Sequence, residues 1–183
     1  MTWKRQGRTQ SGFSTIELGI TLAVILVMTA ISVPFTLNTI RTHRRDAAAR
    51  HLLWQIRSTQ SLATSRNAVI GFQWGPDVSW GADTYRIVRD TTKSCGLPAA
   101  SAPEDGTNVI EGWFAFGEAF PGATIQSITD ASSASVGGVM FNPIGASVNT
   151  CATVNFPVTI VVADTSGRTR TLEITSAGST RLQ

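Results

Sequence analysis

The chain has 183 residues, with fifteen Lys and Arg against twelve Asp and Glu, two His and two Cys. This length accommodates one modest globular domain beside a long apolar run, which excludes an enzyme built from two folded domains. Cys95 and Cys151 stand far apart without a CxxC pair, which argues against a structural metal site.

A short polar and basic segment, residues 1–12, precedes an apolar stretch of about 25 residues, 13–37. A helix of that length crosses a bilayer, and its positive flank predicts a cytoplasmic N-terminus. The run is too long for the core of a secretory signal peptide. A plain single-pass anchor fits the length but leaves Glu17 unexplained, because an unpaired carboxylate in hydrocarbon costs a few kcal/mol.

Cleavage between Gly12 and Phe13 would give Glu17 a partner. It creates an α-amino group at Phe13, four residues before the carboxylate in the chain. In a bundle, the amine of one copy would pair with Glu17 of a neighbouring copy and set the axial register of the packed helices. In a monomer, the charge would have to stay among the lipid headgroups.

Residues 12–17, GFSTIE, resemble the type IV prepilin cleavage and methylation motif, and Pro34 falls where that family commonly has proline, at the twenty-second mature position. The resemblance implies removal of a leader, residues 1–12, and N-methylation of Phe13 by a prepilin peptidase. It also implies a single-pass protein of the bacterial inner membrane with a periplasmic head, which assembles with other pilins into a filament. Pro34 lacks a backbone donor and is expected to loosen the helix.

Residues 38–66 are predicted to form an amphipathic stalk helix. Small or apolar residues recur at three- and four-residue steps, and this stripe should pack on a domain: Ala48, Leu52, Ile56, Thr59 and Ala63. The opposite face carries four other side chains: His43, Arg50, Trp54 and Arg57. The segment holds six arginines against Asp46 alone, so its outer surface either contacts acidic neighbours or lipid phosphates, or is simply solvated.

Residues 67–183 are predicted to form a β-rich head. Short segments rich in β-branched and aromatic residues alternate with turn formers: 68–74, 83–90, 109–117, 123–130, 137–142, 157–164 and 170–176. The fold class is therefore α+β, a long N-terminal helix packed on a small antiparallel β-sheet or sandwich. A Cys95–Cys151 disulfide is expected in an extracytoplasmic domain, whereas two free buried thiols would suit a cytosolic protein.

Two short segments on either side of the head resemble the GspH/FimT pseudopilin family. The first is QSLA at 60–63, followed by RN at 66–67 and the strand from Val69, and the second is RTLEITSAG at 170–178. The resemblance implies a helix packed on two small antiparallel sheets, near the filament tip. The predicted function is that of a minor pseudopilin, a structural subunit of the type II secretion pseudopilus that supports protein export. The alternative is a minor pilin that primes a type IV pilus.

The sequence does not predict an enzyme or a bound cofactor. Both histidines, His43 and His51, lie on the stalk, so a nucleophile in the head would have no histidine base there. Their spacing does not fit a helical zinc pair. The segment DTSG at 164–167 is built of turn formers and predicts a hairpin. Four aromatic residues are assigned to one strand as core, with Trp113 also a candidate subunit contact: Trp113, Phe114, Phe116 and Phe120.

The distribution of charge argues against nucleic acid as a partner. One branch of the family takes up DNA and carries a Gly-Arg-x-Arg signature near its C-terminus. Here GRTR at 167–170 precedes the last predicted strand, and GSTR at 178–181 keeps only the second arginine. Residues 67–183 carry ten carboxylates against six basic groups, and a net-negative head repels a polyphosphate. A hairpin turn is therefore favoured over DNA contact by Arg168, Arg170 and Arg181.

Overall fold

The computed structural model describes residues 14–75, 83–90, 97–98, 107–148 and 154–183, without the side chains of residues 33–35. The chain divides into two compact units, Met1–Ile40 and Arg41–Gln183. The described part of the first unit is an apolar helical segment. The described part of the second unit contains an amphipathic helical segment, a short second helix and two antiparallel sheets.

Helix α1 extends over Thr15–Ser65, 51 residues. Its first backbone donors are satisfied by Ser14, whose carbonyl accepts the N–H groups of Glu17 and Leu18 at 3.0 and 3.1 Å. The helix ends in a left-handed cap at Asn67, with φ 47°. The Ala68 N–H donates to the Ala63 carbonyl at 3.2 Å and the Asn67 N–H donates to the Thr64 carbonyl, the two bonds of a Schellman motif.

The predicted stripe on residues 38–66 is confirmed. Its five members are each at most 1% exposed: Ala48, Leu52, Ile56, Thr59 and Ala63. The four side chains predicted on the opposite face are exposed: His43, Arg50, Trp54 and Arg57. The Thr59 hydroxyl donates to the carbonyl of Gln55 at 2.8 Å, so the polar atom in the stripe is satisfied. This half of α1 is therefore part of the hydrophobic core of the second unit.

Every pair of neighbouring strands is antiparallel. One sheet has the order β3-β2-β1-β5-β6 and the other the order β4-β7-β8-β9. The strand bounds are β1 Ile70–Trp74, β2 Thr84–Arg89, β3 Val109–Ala115, β4 Ala123–Thr129, β5 Gly138–Phe141, β6 Ser147–Val148, β7 Val158–Asp164, β8 Thr169–Ile174 and β9 Thr180–Leu182. The predicted α+β class is confirmed, and the strands form two antiparallel sheets, as the family resemblance implied.

The buried side chains that alternate along the strands form the rest of the core. On β7, Val158, Ile160 and Val162 are at most 1% exposed and the residues between them are half-buried. On β8, Leu172 and Ile174 are buried in the same way. Because successive side chains of a strand point to opposite faces, these residues line one face of the sheet and join the stripe of α1 in a single cluster.

Residues 109–120 differ from the prediction of one aromatic strand. Strand β3 ends at Ala115, and a short helix, α2, follows at Phe116–Ala119. The Phe116 N–H donates to the carbonyl of Asp83 at 2.8 Å, and its fully buried ring lies 5.2 Å from the ring of Phe120. Placing Phe116 and Phe120 on the strand was wrong, because the chain turns at Phe116 toward β4.

Candidate membrane and assembly surface

Large apolar side chains project from every side of the N-terminal part of α1. Ten of them are between 52 and 75% exposed: Ile16, Leu18, Ile20, Leu22, Val24, Ile25, Leu26, Val27, Met28 and Ile31. The run from Val24 to Met28 covers the whole circumference, since five consecutive helical positions exceed one turn. By length and composition this helix can cross a membrane.

The hydroxyl groups within this apolar segment bond to the helix itself. Thr21 Oγ1 donates to the Leu18 carbonyl at 2.9 Å, and Ser32 Oγ donates to the Met28 carbonyl at 2.8 Å. Such bonds satisfy a hydroxyl where hydrocarbon offers no partner. The threonines and serines are therefore compatible with a lipid-facing helix.

Glu17 is different from these hydroxyl residues. It lies in the first turn of α1, is exposed, and its carboxylate has no partner in the described part of the chain. Its predicted partner amine at Phe13, and the cleavage site between Gly12 and Phe13, lie outside the described residues. Pro34 lies inside α1, and the helical backbone continues through it.

The arginines of the GRTR segment bind carboxylates within the chain. GRTR lies across the β7–β8 turn, which confirms the predicted hairpin, and Gly167 has φ 77°. Arg168 Nε donates to Asp164 Oδ2 at 3.1 Å, and Arg170 Nε donates to Asp46 Oδ1 of α1 at 3.0 Å. Arg181 lies on β9, opposite Glu173 of β8. Two of the three candidate DNA-contact arginines, Arg168 and Arg170, therefore have carboxylate partners within the chain.

The two carboxylates of this network stay ionised. The hydrogen bond from Arg170 holds the pKa of Asp46 below its ordinary value, against the effect of burial and with help from Arg45. Burial alone would raise the pKa of Asp164, but the backbone N–H groups of Arg168 and Ser166 and the charge of Arg168 keep it low. The hairpin is thereby tied to α1 by charge-assisted bonds.

His51 lies in an aromatic cluster rather than in a catalytic arrangement. Its Nε2 is 2.7 Å from the hydroxyl of Tyr85, and its ring is stacked on Phe114 at 5.3 Å. Burial lowers the pKa of His51, and burial together with the charge of Glu111 raises the pKa of Tyr85. A cavity of about 350 Å³ adjoins the cluster, and its described lining has no serine, threonine or cysteine nucleophile. The cluster attaches α1 to β2.

Trp113 packs on a buried charge. The guanidinium carbon of Arg86 lies 4.5 Å from the centre of its ring, and Arg86 Nε donates to Gln73 Oε1 at 2.8 Å. Arg86 is 1% exposed, so this cation–π contact is desolvated. The half-buried Trp113 ring thus has a partner within the chain.

Two further predictions concern cysteines and metals. Cys95 and Cys151 lie outside the described residues, so their pairing stays a prediction. Among the residues that the structure describes, no group of three His, Cys, Asp or Glu side chains could hold a metal ion.

No protein-family model and no curated protein matches the chain. Among solved structures, it is similar to the type IV minor pilin FimU of Pseudomonas aeruginosa in two crystal forms. These are 19 and 22% identical, each with a TM-score of 0.45, and cover 75% of this chain and 91 and 87% of theirs. It is also similar to the minor pseudopilin EpsH from the type 2 secretion system of Vibrio cholerae. That structure is 11% identical, has a TM-score of 0.46, and covers 76% of this chain and 96% of its own.

These neighbours belong to the two classes that the sequence resemblance named, minor pilins and minor pseudopilins.

Proposed function

We propose that this chain is a pilin-like structural subunit. It is cut between Gly12 and Phe13, stays in the bacterial inner membrane through residues 13–37 with its head in the periplasm, and assembles with other pilins into a filament. One observation carries the proposal. An apolar helix exposed on all sides holds Glu17 in its first turn, and among the described residues this carboxylate has no partner.

The physical reason for assembly is the free-energy cost of placing the Glu17 carboxylate in hydrocarbon. A lone charge in hydrocarbon costs a few kcal/mol, and an opposite charge or hydrogen bond within reach removes most of that cost. The amine that cleavage would create at Phe13 supplies the opposite charge when two helices pack side by side. The exposed apolar faces supply the packing area, since helices in a bilayer associate by close contact of their side chains.

The test is assembly of Glu17→Gln in the native cell. This substitution keeps the shape of the side chain and removes the charge, and we expect the subunit to insert into the membrane but to be lost from sheared filaments. Thr21→Ala is the matched control, because it removes a polar group that already bonds to its own helix. Equal recovery of Glu17→Gln and wild type in the filament fraction would contradict the proposed role.

The finer proposal is a minor pseudopilin of a type II secretion system. It rests on the two segments that resemble the GspH/FimT family, 60–63 and 170–178. In the fold their ends meet: Gln60 Nε2 donates to the Gly145 carbonyl at 2.6 Å, and Gly178 packs against both residues. The two segments thus form one junction between α1 and the β8–β9 turn.

Deletion of the gene separates the secretion system from the pilus. Loss of exoprotein secretion with intact twitching supports the pseudopilus, whereas loss of surface pili with intact secretion supports a minor pilin that primes a type IV pilus. A gel-shift of the full chain in detergent tests DNA uptake. We expect no shift at low salt, since residues 67–183 have an excess of carboxylates that repels a polyphosphate.

A further inference from the structure

Arginines of α1 and of the β7–β8 hairpin lie close together at the N-terminal end of the second unit, where Arg45 and Arg168 share Asp164 and Arg45 and Arg170 share Asp46. Two further arginines precede Arg45 on α1, and the five are together called the arginine cluster: Arg41, Arg44, Arg45, Arg168 and Arg170. Only two carboxylates, Asp46 and Asp164, form ion pairs with members of the cluster in the described part of the chain. The cluster therefore keeps a surplus of positive charge.

The two carboxylates are used to hold the hairpin against α1. The side chain of Asp164 is 1% exposed and accepts the N–H groups of Ser166 and Arg168 at 2.8 and 3.0 Å. Its other oxygen lies 3.9 Å from Arg45 Nη1. Asp46 pairs with Arg170 at 3.0 Å and with Arg45 at 3.1 Å. These bonds fix guanidinium groups from two distant parts of the sequence side by side.

Several guanidinium donors remain available. Arg168 bonds Asp164 through Nε, its side chain is 44% exposed, and no described residue occupies its two Nη groups. Arg41 is exposed and lies one helical turn before Arg45, on the same face of α1. Planar guanidinium groups match the oxygens of a phosphate in a bidentate manner. The cluster therefore fits a phosphate group.

The place of the cluster in the chain indicates which phosphate. Arg41 follows directly after Ile40, the last residue of the apolar unit. If that unit spans the bilayer, the residues that follow it lie at the level of the lipid headgroups. DNA is a weaker candidate, because the rest of the head has more carboxylates than basic groups.

We propose that the arginine cluster binds the phosphate of an anionic phospholipid where the chain leaves the membrane. The inference rests on the membrane-anchored function proposed above. Arg168 and Arg170 of the hairpin act with Arg41 as a headgroup clamp: they bind one lipid phosphate and so hold the head at the membrane surface before the subunit joins the filament.

The test uses the full chain in a non-ionic detergent, titrated with phosphatidylglycerol or phosphatidylcholine, with lipid-bound protein measured by native mass spectrometry. We expect tighter binding of phosphatidylglycerol. The double variant Arg41→Gln/Arg168→Gln should lose roughly fivefold in affinity for each arginine, the fold-change that corresponds to about 1 kcal/mol. Arg66→Gln/Arg181→Gln is the matched control, since it removes two exposed charges outside the cluster and should keep the preference.

Four outcomes would overturn the inference: equal affinity of the wild type for the two lipids, equal losses in the test and control variants, full displacement of phosphatidylglycerol by inorganic phosphate, or displacement by a short DNA duplex. Displacement by phosphate would indicate a free-phosphate site, and displacement by DNA a nucleic-acid site. Membrane insertion is measured separately, by resistance of vesicle-bound protein to carbonate extraction. Failure to insert would overturn the proposed function, whereas insertion without lipid preference would overturn the clamp alone.

Discussion

Substitution of Gly178 by alanine should weaken the junction between α1 and the head. Gly178 has φ 81°, where an L side chain costs about 1–2 kcal/mol. A Cβ atom there would overlap the carbonyl oxygen of Gly145 and come within 2.7 Å of Gln60 Nε2. Overpacking of this kind costs about 1–3 kcal/mol, so the free energy of unfolding should fall by about 2–5 kcal/mol.

Gly167→Ala provides the matched control for this prediction. Gly167 has φ 77°, but a Cβ atom there would meet nothing within 4 Å. The Gly167→Ala substitution should therefore lower the free energy of unfolding only by the cost of the left-handed backbone conformation, about 1–2 kcal/mol. Urea unfolding of the full chain in detergent, followed by tryptophan fluorescence, measures both variants. Equal losses in the two variants would refute the steric overlap of Gly178 with Gly145.

Two further predictions concern the part of α1 in the second unit. Burial lowers the pKa of His51 in the folded protein, so the unfolded chain binds a proton at this residue more readily than the folded chain does. The free energy of unfolding should therefore fall as the pH drops below about 6.5, and it should level off once His51 is protonated in the folded state as well. Urea unfolding of the wild type and of His51→Gln across pH 5 to 8 checks this, and an unchanged pH dependence in the variant would contradict it. Leu52→Ala should cost about 2–5 kcal/mol because Leu52 is fully buried, whereas Trp54→Ala, at a side chain 63% exposed, should cost much less. Similar unfolding midpoints for the two variants would show that the stripe is not the packed face.

The helix was predictable from local pattern. The spacing of Ala48, Leu52 and Ile56 identifies a buried stripe because a helix returns to the same face every three or four residues. The β7–β8 hairpin was predictable from the turn formers at 164–167. These signals lie within a few residues of one another, and no distant part of the chain is needed to interpret them.

Features that depend on distant partners were not predictable. Strands β6 and β9 have two and three residues, and they are strands only because β5 and β8 pair with them. The helical turn at Phe116 depends on the carbonyl of Asp83, about thirty residues earlier. The partner of Arg170 is Asp46, 124 residues away. A sequence motif such as GRTR identifies the arginines but not the carboxylates that form ion pairs with them.

The residues of the candidate site divide in the same way. Glu17 was identified from the sequence because a carboxylate stands out in an apolar run, and the structure shows it exposed on α1. The arginine cluster was not foreseen as a unit, since it joins the start of the stalk to a hairpin near the C-terminus. Only the fold brings Arg168 beside Arg45, through the buried carboxylate of Asp164.

The intact mass of the protein purified from its native membrane tests the central claim most directly. If the proposed function is right, the chain lacks residues 1–12 and begins with Phe13 carrying one N-methyl group, which fragmentation of the N-terminal peptide locates. An intact leader, or a terminus at any other residue, would contradict it, because Glu17 would then lose the amine proposed as its partner.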